Sequence, residues 1–170
     1  MPQTDNPSTA DAIHAGTETA EIRRLLAEVT DPEIPVLTIE DLGILRNIEW
    51  QGGRLAIEIT PTYSGCPALR AIESEIVEVL KREGFSDVSV RTQLSPAWTT
   101  GWMSETGRRK LLEYGIAPPG RCGSVESAQV NCPRCGSGNT EEISHFGSTA
   151  CKALCRCREC LEPFDHFKCI

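Results

Sequence analysis

The stretch Arg46–Thr60, RNIEWQGGRLAIEIT, decides how the chain is read. In its second half Leu55, Ile57 and Ile59 alternate with Ala56, Glu58 and Thr60. That alternation predicts a strand with one buried and one solvated face. Arg46 to Trp50 reads as its partner strand, and the QGG between them predicts a hairpin.

Working outward, Ile22, Leu25, Leu26 and Val29 are spaced i, i+3, i+4, i+7 and predict a helix. Pro32 and Pro35 end it, because each lacks an N–H and restricts the residue before it. On the other side, Pro67 suits the first position of a second helix, whose stripe runs through Leu69, Ile72, Ile76, Val79 and Leu80 to a stop at Gly84. A short strand, Asp87 to Arg91, a loop and a helix ending at Gly115 follow. The order α-β-β-α-β-α implies an α+β domain with helices packed on a mixed sheet.

This frame divides the chain into a polar, flexible tail (1–18), the α+β domain (19–116), a Gly/Pro/Ser-rich linker (117–128) and a cysteine-rich module (129–170). The last is too short to hold a hydrophobic core unaided, so a metal staple is expected. A net charge of -7 argues against nucleic-acid binding. The chain has no apolar run of membrane-spanning length and no secretory start, so a cytoplasmic protein is expected.

The nine cysteines are unevenly placed, with Cys66 alone in the first 121 residues and eight between Cys122 and Cys169. Without an export signal, this clustering favours metal ligation over disulfides. CPRC (Cys132, Cys135) and CREC (Cys157, Cys160) are separated by 21 residues and offer four thiolates, the ligand set of a closed, structural zinc site. Iron in a rubredoxin-like site, or an iron–sulfur cluster, is the alternative, since cysteine ligation alone does not separate zinc from iron. Cys151, Cys155 and Cys169 are additional thiols. The first two would lie one turn apart on a helix and form a second pair, or would be small buried residues. Cys122, in the linker, reads as incidental.

Cys66 would be a helix N-cap if Pro67 opens the helix, and the helix dipole then favours its thiolate, a nucleophile or metal ligand. The other reading is an ordinary cap in place of serine. Asp31 and Glu33 are the carboxylates expected near it; a simple turn role for Asp31 is the alternative. His14, His145 and His166 provide no partner for a Cys–His hydrolase.

The segments DPEIPVLTIEDLGIL (Asp31 to Leu45), TPTYSGCPA (Thr60 to Ala68) and SPAWTTGWMSETGRRKLLEYGIAPP (Ser95 to Pro119) resemble the iron–sulfur cluster assembly domain superfamily, that of SufT-like and Cia-type factors. With the terminal CPRC and FGSTACKALCRCRECLEPFDHFKC, the chain is similar to the D-subunit family of the bacterial phenylacetyl-CoA epoxidase system. The resemblance implies a non-catalytic accessory subunit that helps deliver iron or a transient iron–sulfur cluster to the reductase or oxygenase subunits. Those partners carry the flavin, cluster and di-iron chemistry. It places the motif cysteine at Cys66 and the acidic turn at Asp31 and Glu33, with Thr60 and Thr62 framing the same pocket. Cys155 departs from the aromatic residue that the family pattern leads one to expect.

Two other classes stay open: a structural adaptor docking reductase onto oxygenase, and a redox subunit using Cys66 or the spare thiols. A glycine fingerprint for flavin or dinucleotide is missing from the sequence, and its one Glu-x-x-His spacing, Glu142 to His145, stands without the second such pair of a di-iron site, which argues against direct oxygenase chemistry. A lone Cys66 does not complete a cluster's ligand set; sharing across a homodimer or with a client would complete it, and ligation together with spare thiols of the C-terminal module is also open.

Overall fold

The structure, a computed structural model, describes residues 19–120, 122 and 129–170. The expected tail and residues 121 and 123–128 of the expected linker lie outside the described residues.

The central hairpin forms as the alternation predicts. β3 (Leu45–Gln51) and β4 (Arg54–Ile59) pair antiparallel, with Gln51 opposite Arg54. Gly52 and Gly53 turn the corner at φ 60 and 93, the left-handed backbone that a two-residue hairpin of matching twist needs. Leu55, Ile57 and Ile59 are completely buried; on the opposite face Ala56 and Thr60 are buried too, and only Glu58 keeps partial access to solvent. β5 (Val88–Thr92) joins β4 in parallel, which requires the crossover helix α2 (Leu69–Arg82) between them. α2 buries Ile72, Ile76, Val79 and Leu80 against the sheet, and α1 (Thr19–Leu26) adds Ile22 and Leu26 to the same core.

Two local details differ from expectation. α1 stops at Leu26, one turn before Val29, which is nonetheless fully buried. The DPEIP stretch is also more than a helix terminator. Asp31 Oδ1 accepts from the N–H of Glu33 (2.7 Å) and of Ile34 (3.1 Å), and this turn joins β1 (Thr30–Asp31) to β2 (Ile34–Thr38). Two prolines obscure the short strands, since proline is tolerated only at strand starts and edges.

Beyond β5, α3 (Glu105–Tyr114) is capped by the Ser104 hydroxyl and ends at left-handed Gly115. Asp41 anchors it: its backbone carbonyl accepts from Ser104 N–H (2.9 Å), and its carboxylate meets the Lys110 ammonium at 2.5 Å. Gly43 sits where a Cβ would fall 2.5 Å from the Trp102 carbonyl oxygen, so this close approach admits no side chain.

The C-terminal module is a three-stranded antiparallel sheet, β6 (Thr140–Ser144), β7 (Lys152–Cys157) and β8 (Pro163–Phe167). Ala117, at the start of the expected linker, pairs with β8: its N–H donates to Asp165 (2.8 Å) and its carbonyl accepts from Phe167 (2.9 Å). Phe167 enters the main core beside Trp98, with ring centroids 6.1 Å apart. No helix among the described residues is long and apolar enough to cross a membrane.

Two cysteine expectations are corrected. Cys169 is not a spare thiol and Cys122 is not incidental, because the two form a disulfide with Cα atoms 5.6 Å apart. The chain folds back after β8 so that positions separated by 47 residues meet, which spacing along the sequence does not reveal. Cys155 lies in strand β7 and Cys151 in the turn just before it, not on a helix, so these two are not stacked one turn apart. Instead Cys151, Ala153, Cys155 and Cys157 alternate along one buried face. Cys155 packs among Ala117, Cys132, Cys157 and Phe164, and burial pushes its thiol up to about 11, as suits a small core residue.

Candidate functional site

The segment after β4 carries Cys66. Thr60 donates its N–H to Ile44 (2.9 Å), and both Thr60 and Thr62 are buried on the way to the loop. The Cys66 N–H then bonds the Tyr63 carbonyl (3.1 Å), and the Cys66 carbonyl accepts from Leu69 (3.2 Å). The N-cap of α2 is Ala68, in helical conformation, so Cys66 precedes the helix and does not cap it. Its thiol is not acidified either. Burial raises its pKa, the Ala68 N–H opposes this, and Asp31, Glu33 and Cys151 raise it further. The helix start contributes one N–H, which does not outweigh desolvation plus two carboxylates.

The charges of Asp31 and Glu33 both act on Cys66. Asp31 is only 6% exposed, and burial raises its carboxyl despite the two turn N–H bonds. Burial and the neighbouring Asp31 likewise raise Glu33. Three further groups complete the surroundings. The phenol of Tyr63 is pushed up to about 12, chiefly by burial and then by the neighbouring Cys66. Cys151, in the turn before β7, and Lys152, the first residue of β7, come from across the junction between the two domains. Lys152 is 4% exposed and pairs with Asp165 at 3.3 Å, while its charge also acts on Asp31 and Glu33. A lysine in a cysteine-rich run has no local signature for this role. Tyr63, inside the TPTYSGCPA motif, was the one neighbour open to inference from the chain.

The second cysteine group is local. Cys132, Cys135, Cys157 and Cys160 place all four sulfurs within 4.8 Å of one another, with Cys132–Cys160 at 3.7 Å and Cys135–Cys157 at 3.6 Å. Zinc–sulfur bonds of about 2.3 Å give a tetrahedron with edges of about 3.8 Å, close to the two sulfur–sulfur distances of 3.7 and 3.6 Å. The two knuckles are built alike: Cys132 N–H donates to Ser137 (2.9 Å) and Cys157 N–H to Glu162 (2.9 Å). The Cys160 N–H, which donates to the Cys157 sulfur, helps bring that thiol down to about 7. These four would hold zinc as a closed, structural ion that ties the two knuckles together. Among the described residues, they are the one set of three or more His, Cys, Asp or Glu with ligand atoms this close. The Cys66 surroundings therefore do not form a ready-made multi-ligand cage.

Family models match both parts of the chain: an iron–sulfur cluster assembly protein over residues 19–91, and a PaaD zinc beta ribbon domain over residues 117–168. A protein of Escherichia coli (strain K12) named as the D-subunit of 1,2-phenylacetyl-CoA epoxidase is 52% identical over 161 residues, covering 94% of this chain and 98% of that protein. An Fe-S protein maturation auxiliary factor of Porphyromonas gingivalis is 33% identical over 98 residues, 56% of this chain and 90% of its own length. Among solved structures, the domain of unknown function DUF59 from Bacillus anthracis superposes with a TM-score of 0.50 at 25% identity, covering 54% of this chain and 89% of that one.

Proposed function

The chain belongs to the 1,2-phenylacetyl-CoA epoxidase D-subunit family, and from this we propose that it is an accessory maturation factor of such an epoxidase, assisting delivery of iron or an iron–sulfur cluster to the reductase or oxygenase subunits. The reading draws on the match to a maturation factor over the first domain and on the assembly-protein family model. One observation carries it: Cys66, half-buried, is grouped with Asp31, Glu33 and a second thiol, Cys151, rather than with an imidazole base. Thiol and carboxylate side chains are ligands for iron, and a thiol without a base is poorly equipped for acyl or hydrolytic chemistry. The ribbon quartet holds zinc and gives the module its rigidity.

Co-expression of the epoxidase subunits with wild-type chain or with Cys66→Ser tests the reading. We expect cluster and iron content of the purified partners, and epoxidation of phenylacetyl-CoA, to fall at least severalfold with the variant. Full metal content and full activity would refute metal delivery through Cys66 and leave the structural-adaptor role in its place.

A further inference from the structure

The Cys122–Cys169 disulfide belongs to neither the zinc quartet nor the Cys66 surroundings, and its two sulfurs are not equivalent. Both cysteines are exposed, so an incoming thiol can reach the bond. The Thr100 hydroxyl lies 2.7 Å from the Cys122 sulfur. A disulfide sulfur carries no hydrogen, so Thr100 is the donor. Thr100 is completely buried, and Arg108 fixes its backbone: Nη2 donates to the Thr100 carbonyl (2.7 Å) and Nη1 to that of Pro119 (2.6 Å). Among the described residues, the Cys169 sulfur meets only an acceptor, the Gly120 carbonyl at 3.9 Å. A cavity of about 580 Å³ reaches Cys122, and a second, of about 400 Å³, reaches Cys169 beside Lys168; Ile170 lines both. The chain end is held at the same place, where the Thr100 N–H donates to the Ile170 carbonyl (3.2 Å).

We propose that this disulfide is an exchange site for a dithiol, with Cys169 the sulfur attacked and Cys122 the leaving group, and that its reduction unlatches the chain end from Thr100. A thiolate of the dithiol enters the cavity at Cys169 and forms a new S–S bond to that sulfur as the Cys122–Cys169 bond breaks. The electron pair of the broken bond leaves on Cys122, and the Thr100 O–H stabilises the thiolate so formed. A stabilised leaving thiolate departs faster, so one donor on one sulfur is enough to give the exchange a direction. The second thiolate of the dithiol then attacks the dithiol's own sulfur in the mixed disulfide and expels Cys169. The dithiol ends as a disulfide, oxidised by two electrons. The protein ends as two thiols, having gained those two electrons and the two protons the dithiol gave up. The Gly120 carbonyl, 3.7 Å from the Cys122 sulfur and 3.9 Å from that of Cys169, is placed to accept from the new S–H groups. With the bond open, the Ile170–Thr100 hydrogen bond is left to hold the chain end alone. Because Ile170 borders both cavities, its release joins them. Neither zinc nor Cys66 takes part, so the proposal stands apart from metal delivery.

Glutathione, a monothiol, tests the direction and dithiothreitol the latch, each on the full, zinc-loaded chain without oxygen. After brief reaction with glutathione, trapping with iodoacetamide and peptide mass mapping should find glutathione on Cys169 and the carbamidomethyl group on Cys122. That product should exceed the reverse one at least tenfold. Equal adducts, or an excess on Cys122, overturn the assignment. Thr100→Val should slow reduction severalfold and narrow the excess, while zinc content and the melting curve report that the variant is folded. An unchanged rate and ratio in that variant also overturn the leaving-group assignment. With dithiothreitol, the native chain should be reduced at Cys122 and Cys169 with its zinc retained, and hydrogen exchange at the Thr100 amide should quicken at least tenfold. A bond that opens only when the chain unfolds, or a Thr100 amide equally protected after reduction, refutes the latch and leaves the disulfide a structural staple.

Discussion

Leu161 occupies in the second zinc knuckle the place that Gly136 occupies in the first: each follows the second cysteine of its pair, with φ 63 and φ 76 respectively. Glycine adopts that left-handed backbone freely, whereas an L side chain is strained there by roughly 1–2 kcal/mol. The Leu161 side chain is 70% exposed, so little packing compensates.

Leu161→Gly should therefore stabilise the ribbon. After allowance for the extra chain entropy of glycine, the gain expected is about 0.5–1 kcal/mol. A thermal melt should move up by about 2 °C with zinc content unchanged. A drop in melting temperature would mean that the leucine makes a contact worth more than the strain.

Zinc removal should unfold the ribbon and undock it. The wild-type chain is expected to contain about one zinc, in keeping with a closed four-thiolate site, and Cys132→Ser close to none. Because structural zinc contributes on the order of 10 kcal/mol to small modules, the ribbon should lose its fold. Trp98, 3% exposed beside Phe167, reports the event, since undocking exposes the indole and shifts its emission to the red. Visible charge-transfer bands from the purified protein, with iron by elemental analysis, would replace zinc by iron as the ribbon's metal.

The Cys122–Cys169 disulfide encloses the whole ribbon. Closing a loop with a separation of 47 residues restricts the unfolded chain, by about 4 kcal/mol in the chain-entropy model. The double variant Cys122→Ser, Cys169→Ser should lose roughly 2–4 kcal/mol in a denaturant melt while retaining its zinc. An unchanged midpoint would show that zinc already restricts the same segment.

The carboxylates around Cys66 make its reactivity and the local stability depend on pH. With its pKa raised by burial, the thiol should react slowly with iodoacetamide at pH 7, and its pH–rate profile should lie above that of an unhindered cysteine. Asp31→Asn removes a neighbouring negative charge, so the profile should move to lower pH, read by peptide mass mapping at Cys66. Asp31 itself is raised above its usual 3.8, so its contribution to stability is full below that value and is lost as pH rises through the folded pKa. The stability of Asp31→Asn relative to wild type should therefore be most favourable near neutrality and decline as pH falls toward 4. A profile unmoved by the substitution would place Asp31 outside the field of Cys66.

The legible parts of this protein are those whose cause is local. Alternation from Leu55 to Ile59, the glycines at 52 and 53 and the apolar stripe of α2 dictate a hairpin and a crossover helix, because side-chain direction follows backbone period. Two CxxC pairs dictate a four-thiolate site, because each knuckle closes within its own few residues. α2 starts at Leu69, two residues beyond Pro67, because a favourable first residue permits a helix without compelling one. The DPEIP hairpin stayed hidden because Asp31, not an apolar period, builds it. Only the tertiary structure decided what surrounds Cys66. Ribbon docking through Phe167 brings Cys151 and Lys152 to Asp31 and Glu33, and burial there raises a thiol that a helix dipole alone would have lowered. It also decided the bond between Cys122 and Cys169. Periodicity and spacing encode what neighbours along the chain do; desolvation and long-range charge depend on which distant surfaces meet, and that is a property of the packed molecule.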